Sequence, residues 1–89
     1  MFQSFGKETT KKFSKEELYS ILENFSEDDS NGMILRAKGI VECKCGKWLH
    51  FDYVPEEHEV RFGAADYTGR LCVIGAQLDE GKLAQLFAL

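Results

Sequence analysis

The sequence predicts an α+β fold, a two-layer α/β sandwich in which a mostly antiparallel sheet carries two helices on one face. Three observations point there. A capping box opens an amphipathic helical stretch, two arms rich in β-branched and aromatic residues flank a glycine-containing turn, and a nearly unbroken apolar run precedes a second helical pattern. With 89 residues, the chain can bury one core of useful size, so residues 1–89 read as one domain with the order β-α-β-β-β-β-α.

Residues 2–7 read as a short opening strand, ended by Gly6 and the polar Thr9-Thr10-Lys11-Lys12. Ser14-Lys15-Glu16-Glu17 is a capping box, in which the Ser14 hydroxyl and the Glu17 carboxylate each satisfy an unpaired backbone N–H. A helix therefore starts there. Leu18, Ile21, Leu22 and Phe25 follow at helical spacing and form one apolar stripe, and Phe13 can staple onto Leu18. Ser26-Glu27-Asp28-Asp29-Ser30-Asn31-Gly32 combines like charges with turn formers and reads as an exposed loop.

Residues 33–43 and 47–54 flank Lys44-Cys45-Gly46 and read as a long hairpin. Turn length decides the faces. A two-residue turn would mix Arg36 and Lys38 with Leu49, Phe51 and Tyr53. A three-residue turn with left-handed Gly46 instead gathers Leu35, Ala37, Val41, Leu49, Phe51 and Tyr53 on one face. Arg36, Lys38, Glu42, Trp48, His50 and Asp52 then share the other. Residues 59–63 read as a third strand with Val60 and Phe62 inward, after a bend at Pro55-Glu56-Glu57, and residues 64–69 as a loop. The run 70–76 has the composition of a central strand buried on both faces. Asp79 then caps a final helix with Leu83, Leu86 and Phe87 at helical spacing.

Fifteen acidic and eleven basic residues give a net charge of -4, which repels a phosphate surface on average. An RNA-binding sheet would also need paired aromatics that the strands lack. Neither nucleic acid nor a membrane is expected as a partner: no apolar stretch approaches spanning length, and no lipidation signal is visible. The three cysteines follow no secretory leader pattern, so reduced thiols and a soluble, cytoplasmic setting are expected. Catalytic motifs are missing too. The three Gly-Lys pairs are followed by Glu8, Trp48 and Leu83 rather than a magnesium-binding hydroxyl, and no nucleophile elbow, zinc-protease helix or dinucleotide fingerprint occurs. The chain reads as a non-enzyme.

Two groups of residues carry potential binding chemistry. Cys43, Cys45 and His50 have the donor types of a zinc site, and a hairpin tip can bring such groups together. The plainer alternative is a buried thiol and a surface histidine, because Cys43 faces the core and His50 faces out in the register above. Arg36 and Lys38, with Trp48, His50 and Asp52 across the hairpin, are interface candidates, since tryptophan amid polar groups often anchors a contact. The alternative there is a solvated patch in which the cations pair with Glu42 or Asp52. Gly39 lets a neighbouring element approach the sheet closely.

Ile34-Leu35-Arg36-Ala37-Lys38-Gly39, then Trp48-Leu49-His50-Phe51-Asp52-Tyr53-Val54, then Gly69-Arg70-Leu71-Cys72-Val73-Ile74-Gly75 and Leu78-Asp79-Glu80 together resemble the C-terminal domain of the CobW-like family. The resemblance spans nearly the whole chain, and Gly39 and Gly75 belong to its signature. It implies a longer parent whose N-terminal P-loop GTPase domain, absent from this chain, binds GTP, magnesium and a transition metal such as zinc or cobalt. It also implies a non-catalytic role in metal delivery or cobalamin synthesis, with that GTPase domain or a metal-requiring client protein as partner. No metal ligand transfers: Cys43-Lys44-Cys45-Gly46 lacks the third cysteine of the family's Cys-x-Cys-Cys motif and lies in the wrong domain.

Overall fold

Helix α1 (Lys15–Glu27) begins where its capping box requires. The Glu17 amide donates to Ser14 Oγ at 3.1 Å, and the Ser14 amide donates to Glu17 Oε1 at 3.3 Å. Its apolar stripe of Leu18, Ile21, Leu22 and Phe25 is buried, and Phe13, just ahead of the cap, joins the same cluster. A short second helix, α2 (Glu80–Phe87), is capped by Asp79, whose side chain accepts from the Lys82 amide, and buries Leu83 and Phe87. The structure, a computed structural model, describes residues 2–27 and 32–88. Of the expected acidic loop, residues 28–31 lie outside the described residues, whereas Ser26 and Glu27 form the end of α1.

The strands are β1 (Gln3–Thr9), β2 (Lys12–Phe13), β3 (Met33–Cys43), β4 (Trp48–Val54), β5 (Glu57–Gly63) and β6 (Gly69–Ala76). They form one sheet in the order β1-β6-β3-β4-β5, with β2 added alongside β3. Every pairing is antiparallel except β2 with β3. Both helices and the inward side chains of the sheet share one hydrophobic cluster, so the helices cover one face, as the α+β reading required.

The β3–β4 hairpin has the expected three-residue turn. The Cys43 amide donates to the Lys47 carbonyl at 2.7 Å and the Gly46 amide to the Cys43 carbonyl at 3.0 Å, with Gly46 at φ 90°. Ala37, Val41, Leu49, Phe51 and Tyr53 are all buried on the helix side.

Several details depart from the sequence reading. Strand β1 continues past Gly6 to Thr9, because its pairing with β6 runs uninterrupted from Gln3 to Thr9. Two-residue β2 adds a sixth strand, too short to show a period. Leu35 is not in the core: a bulge against β6 takes up one extra residue between Ile34 and Arg36, so Ile34 is buried in its place. Strand β5 starts at Glu57, since the turn narrows to Pro55-Glu56 and Val54 pairs with Glu57. On that edge strand Phe62 sits on the core side yet stays 49% exposed, beyond the helices' cover.

The apolar run in β6 does lie inside the sheet, between β1 and β3, but it is not buried on both faces. Leu71 and Val73 turn to the helices and are buried, while Ile74 on the opposite side is 39% exposed. Gly39 and Gly75 both stand where a side chain has no room: a β-carbon at Gly39 would lie 2.5 Å from Phe51 Cε2, and one at Gly75 would meet the Met33 carbonyl oxygen.

Candidate functional site

The period of two that buries Ala37, Val41, Leu49, Phe51 and Tyr53 forces the intervening residues onto the face without helices. Cross-strand register fixes their neighbours. Lys38 stands opposite Asp52, Ile40 opposite His50 and Glu42 opposite Trp48. On the other flank of β3, Arg36 pairs with Ile74, Lys38 with Cys72 and Ile40 with Arg70, and His50 faces Arg61 on β5. Arg36, Lys38, Trp48, His50 and Asp52 therefore lie on one open surface, as the hairpin register implied.

At its centre is a shallow depression of about 230 Å³, edged by Lys38, His50, Asp52, Arg61 and Arg70 with Ile40 and Cys72 between them. The charges around it are partly paired. Arg36 Nη2 approaches Asp52 Oδ1 at 3.5 Å, with 54% and 41% of the two side chains exposed; so wet a pair adds little to stability. Glu42 is taken by Lys12 at 3.4 Å, and Arg61 lies 3.9 Å from Glu59. Lys38 makes no ion pair among the described residues.

Arg70 is held more firmly. Its guanidinium reaches Asp66 through Nε at 3.0 Å and Nη2 at 2.7 Å, and the Tyr67 amide donates to the same carboxylate at 2.6 Å. The Tyr67 amide and then Arg70 hold the Asp66 carboxyl below its ordinary range. His50 is positioned by its neighbours as well. Its Nε2 lies 2.8 Å from the Ala64 carbonyl oxygen, an acceptor only, so that nitrogen carries the proton. A β-carbon on Gly63 would fall 2.5 Å from the imidazole, so the ring occupies space that only glycine leaves open.

The three proposed metal donors do not converge. Cys43 is buried on the helix side, at 4% exposure, whereas His50 projects from the open face. Cys43 and Cys45 are joined to each other as a disulfide, with their Cα atoms 5.0 Å apart. This differs from the expectation of three reduced thiols. The tight turn brings two residues of a Cys-x-Cys sequence within bonding reach, and Cys72 remains free on the other face. No cluster of three metal-binding side chains occurs among the described residues.

Sequence reasoning overlooked Ile40, Arg61, Arg70, Cys72 and Ile74 as members of this face. The signal was present in β6, where Leu71 and Val73 alternate with Arg70, Cys72 and Ile74. It was masked because cysteine and isoleucine look like core.

Among the described residues, no helix is long and apolar enough to cross a membrane. No curated protein sequence matches the chain. Two solved structures share the fold at 22% identity, covering 98% of this chain: a Zn(II)-bound YjiA GTPase from E. coli, with a TM-score of 0.77, and a Zn(II)-bound triple mutant of YjiA GTPase, with 0.78. The chain spans 29% of the length of each. The family described as the cobalamin synthesis protein cobW C-terminal domain matches residues 2–89. By that match across nearly every residue, the chain belongs to the cobW C-terminal domain family.

Proposed function

We propose that this domain is a non-catalytic interaction module of a CobW-like, GTP-dependent metallochaperone, and that it docks through the open face of its sheet. The partner is the GTPase domain of such a protein or a metal-requiring client, in zinc homeostasis or cobalamin synthesis. Nucleotide, magnesium and the transferred metal belong to the GTPase domain. The sequence of this chain has no P-loop pattern with which to hold a nucleotide.

One observation carries the reading: among the described residues nothing covers one whole face of the sheet, and that face displays half-exposed Ile74 beside Arg36, with Trp48 on the same surface. Apolar area ringed by charge, with an aromatic residue at its edge, is the usual composition of a docking surface.

The test is calorimetric titration of this chain against the GTPase domain of a CobW-like protein from the same organism. Arg36→Glu, Lys38→Glu and Trp48→Ala are each expected to weaken binding about tenfold, a loss of roughly 1.4 kcal/mol, without shifting the melting temperature. Glu23→Lys on the exposed side of α1 should change nothing. Equal affinity for all four variants, or GTP turnover by the purified chain alone, would rule the proposal out.

A further inference from the structure

The hairpin tip carries chemistry that docking through the sheet does not use. Cys43 and Cys45 are bonded to each other, and they differ sharply in access: Cys43 is 4% exposed, while Cys45 sits in the exposed turn. The Cys45 amide also donates to Cys43 Sγ at 3.1 Å. That contact folds the turn backbone over the buried sulfur and leaves the Cys45 side of the bond as the accessible one. The pair is thus asymmetric in access, with one sulfur open to attack by a small thiol and the other shielded from it.

From this geometry we infer that Cys43 and Cys45 form a reversible dithiol–disulfide couple that exchanges with low-molecular-weight thiols and is entered at Cys45. A small thiolate attacks Cys45 Sγ. A sulfur–sulfur bond forms between them, the Cys43–Cys45 bond breaks, and its electron pair leaves on Cys43. A second small thiolate then attacks its own kind in the mixed disulfide and releases Cys45 as thiolate. In sum, the protein disulfide gains two electrons and two protons, and two small thiols become one small disulfide.

Reclosure is equally provided for. The turn is held by the Cys43 amide on the Lys47 carbonyl at 2.7 Å, the Gly46 amide on the Cys43 carbonyl at 3.0 Å, and the Lys44 amide on the Phe13 carbonyl at 2.9 Å. None of these bonds involves sulfur, so they keep the two cysteines adjacent after reduction, and closure stays an intramolecular reaction between pre-placed groups. Cys72 does not compete. It lies opposite Lys38 on the open face, with the sheet between it and Cys43.

The experiment equilibrates the whole chain in glutathione buffers of graded ratio, blocks free thiols with N-ethylmaleimide under denaturing conditions, and counts adducts by intact mass. One adduct, on Cys72, is expected at the oxidised end and one on each of the three cysteines at the reduced end, with the change reversing when the ratio is reversed. Cys43→Ser should accumulate glutathione on Cys45. Cys45→Ser, which keeps the buried cysteine, should take up none at Cys43 while folded. A pair that stays closed at every ratio, a pair that stays open at every ratio, or glutathione captured at Cys43 would each overturn the inference.

Discussion

The ring of Phe51 stands where a side chain at Gly39 would have to go. A β-carbon built on Gly39 falls 2.5 Å from Phe51 Cε2 and 2.7 Å from the Arg70 carbonyl oxygen, and Phe51 is itself only 2% exposed. The two residues face each other across β3 and β4. One is empty so that the other can lie flat against the strand.

Gly39→Val is therefore expected to destabilise the domain by about 1–3 kcal/mol, the usual cost of overpacking. The Arg70 carbonyl belongs to the neighbouring strand and cannot yield as a flexible side chain would. Urea denaturation read by circular dichroism gives the number. A variant as stable as the parent would mean that Phe51 has another place to rest.

Why Gly39 was legible in part, and other features were not, follows from the range of the forces involved. The capping box at Ser14 and Glu17, the turn at Gly46 and the cap at Asp79 are set by residues within a few positions of one another, so the chain itself records them. Strand order is set by contacts between distant segments, and nothing local announces that β6 slots between β1 and β3. The bulge at Leu35 is of the same kind: two adjacent apolar residues, Ile34 and Leu35, are both acceptable inward, and only the register against Gly75 decides. Apolar Cys72 and Ile74 suggested burial on both faces of β6, yet among the described residues no element covers the second face. A sequence can say that a residue is fit for burial without saying whether its own chain or another will do the burying. The same ambiguity hid half of the candidate site.

Phe87 is the point where the helices and sheet meet. Its ring lies 6.4 Å from that of Phe13, 6.1 Å from Phe25 and 6.2 Å from Phe51, and the residue has no exposed surface. Phe87→Ala should cost about 3–5 kcal/mol. Because α2 buries only Phe87 and Leu83 fully, most of that loss should appear as undocking of α2. Hydrogen exchange is the check: faster exchange confined to residues 80–88 is expected at moderate denaturant, whereas uniform acceleration would mean that α2 is integral to the rest of the core.

Gly46 offers a cleaner backbone test, since a β-carbon there would meet nothing within 4 Å. Its φ of 90° is the sole obstacle to a side chain. Gly46→Ala should thus cost about 1 kcal/mol through backbone strain alone, and Gly46→Asn less, because asparagine tolerates the left-handed region better. Thermal melts of both variants under the same redox conditions settle the order. If alanine proves the less costly of the two, the turn has changed type.

The link between the hairpin tip and α1 should be visible as a pH dependence. Lys44 Nζ donates to Glu17 Oε1, and that bond, ahead of those from Ser14, draws the Glu17 carboxyl below its ordinary value of 4.5, against a smaller opposing effect of desolvation. A carboxyl whose folded value is depressed stabilises the fold fully at pH above its unfolded value, and loses that contribution as the pH falls through the folded one. With 59% and 39% of the two side chains exposed, solvent screening keeps the pair within about 0–1 kcal/mol. Lys44→Met should therefore lower stability by a few tenths of a kcal/mol near neutral pH, and the gap to the parent should close below the folded value, where Glu17 is protonated in both. Urea melts of the two proteins at pH 7 and pH 3, under the same oxidising conditions, make the comparison. A gap of equal size at both pH values would assign the effect of Lys44 to its packing and not to its charge.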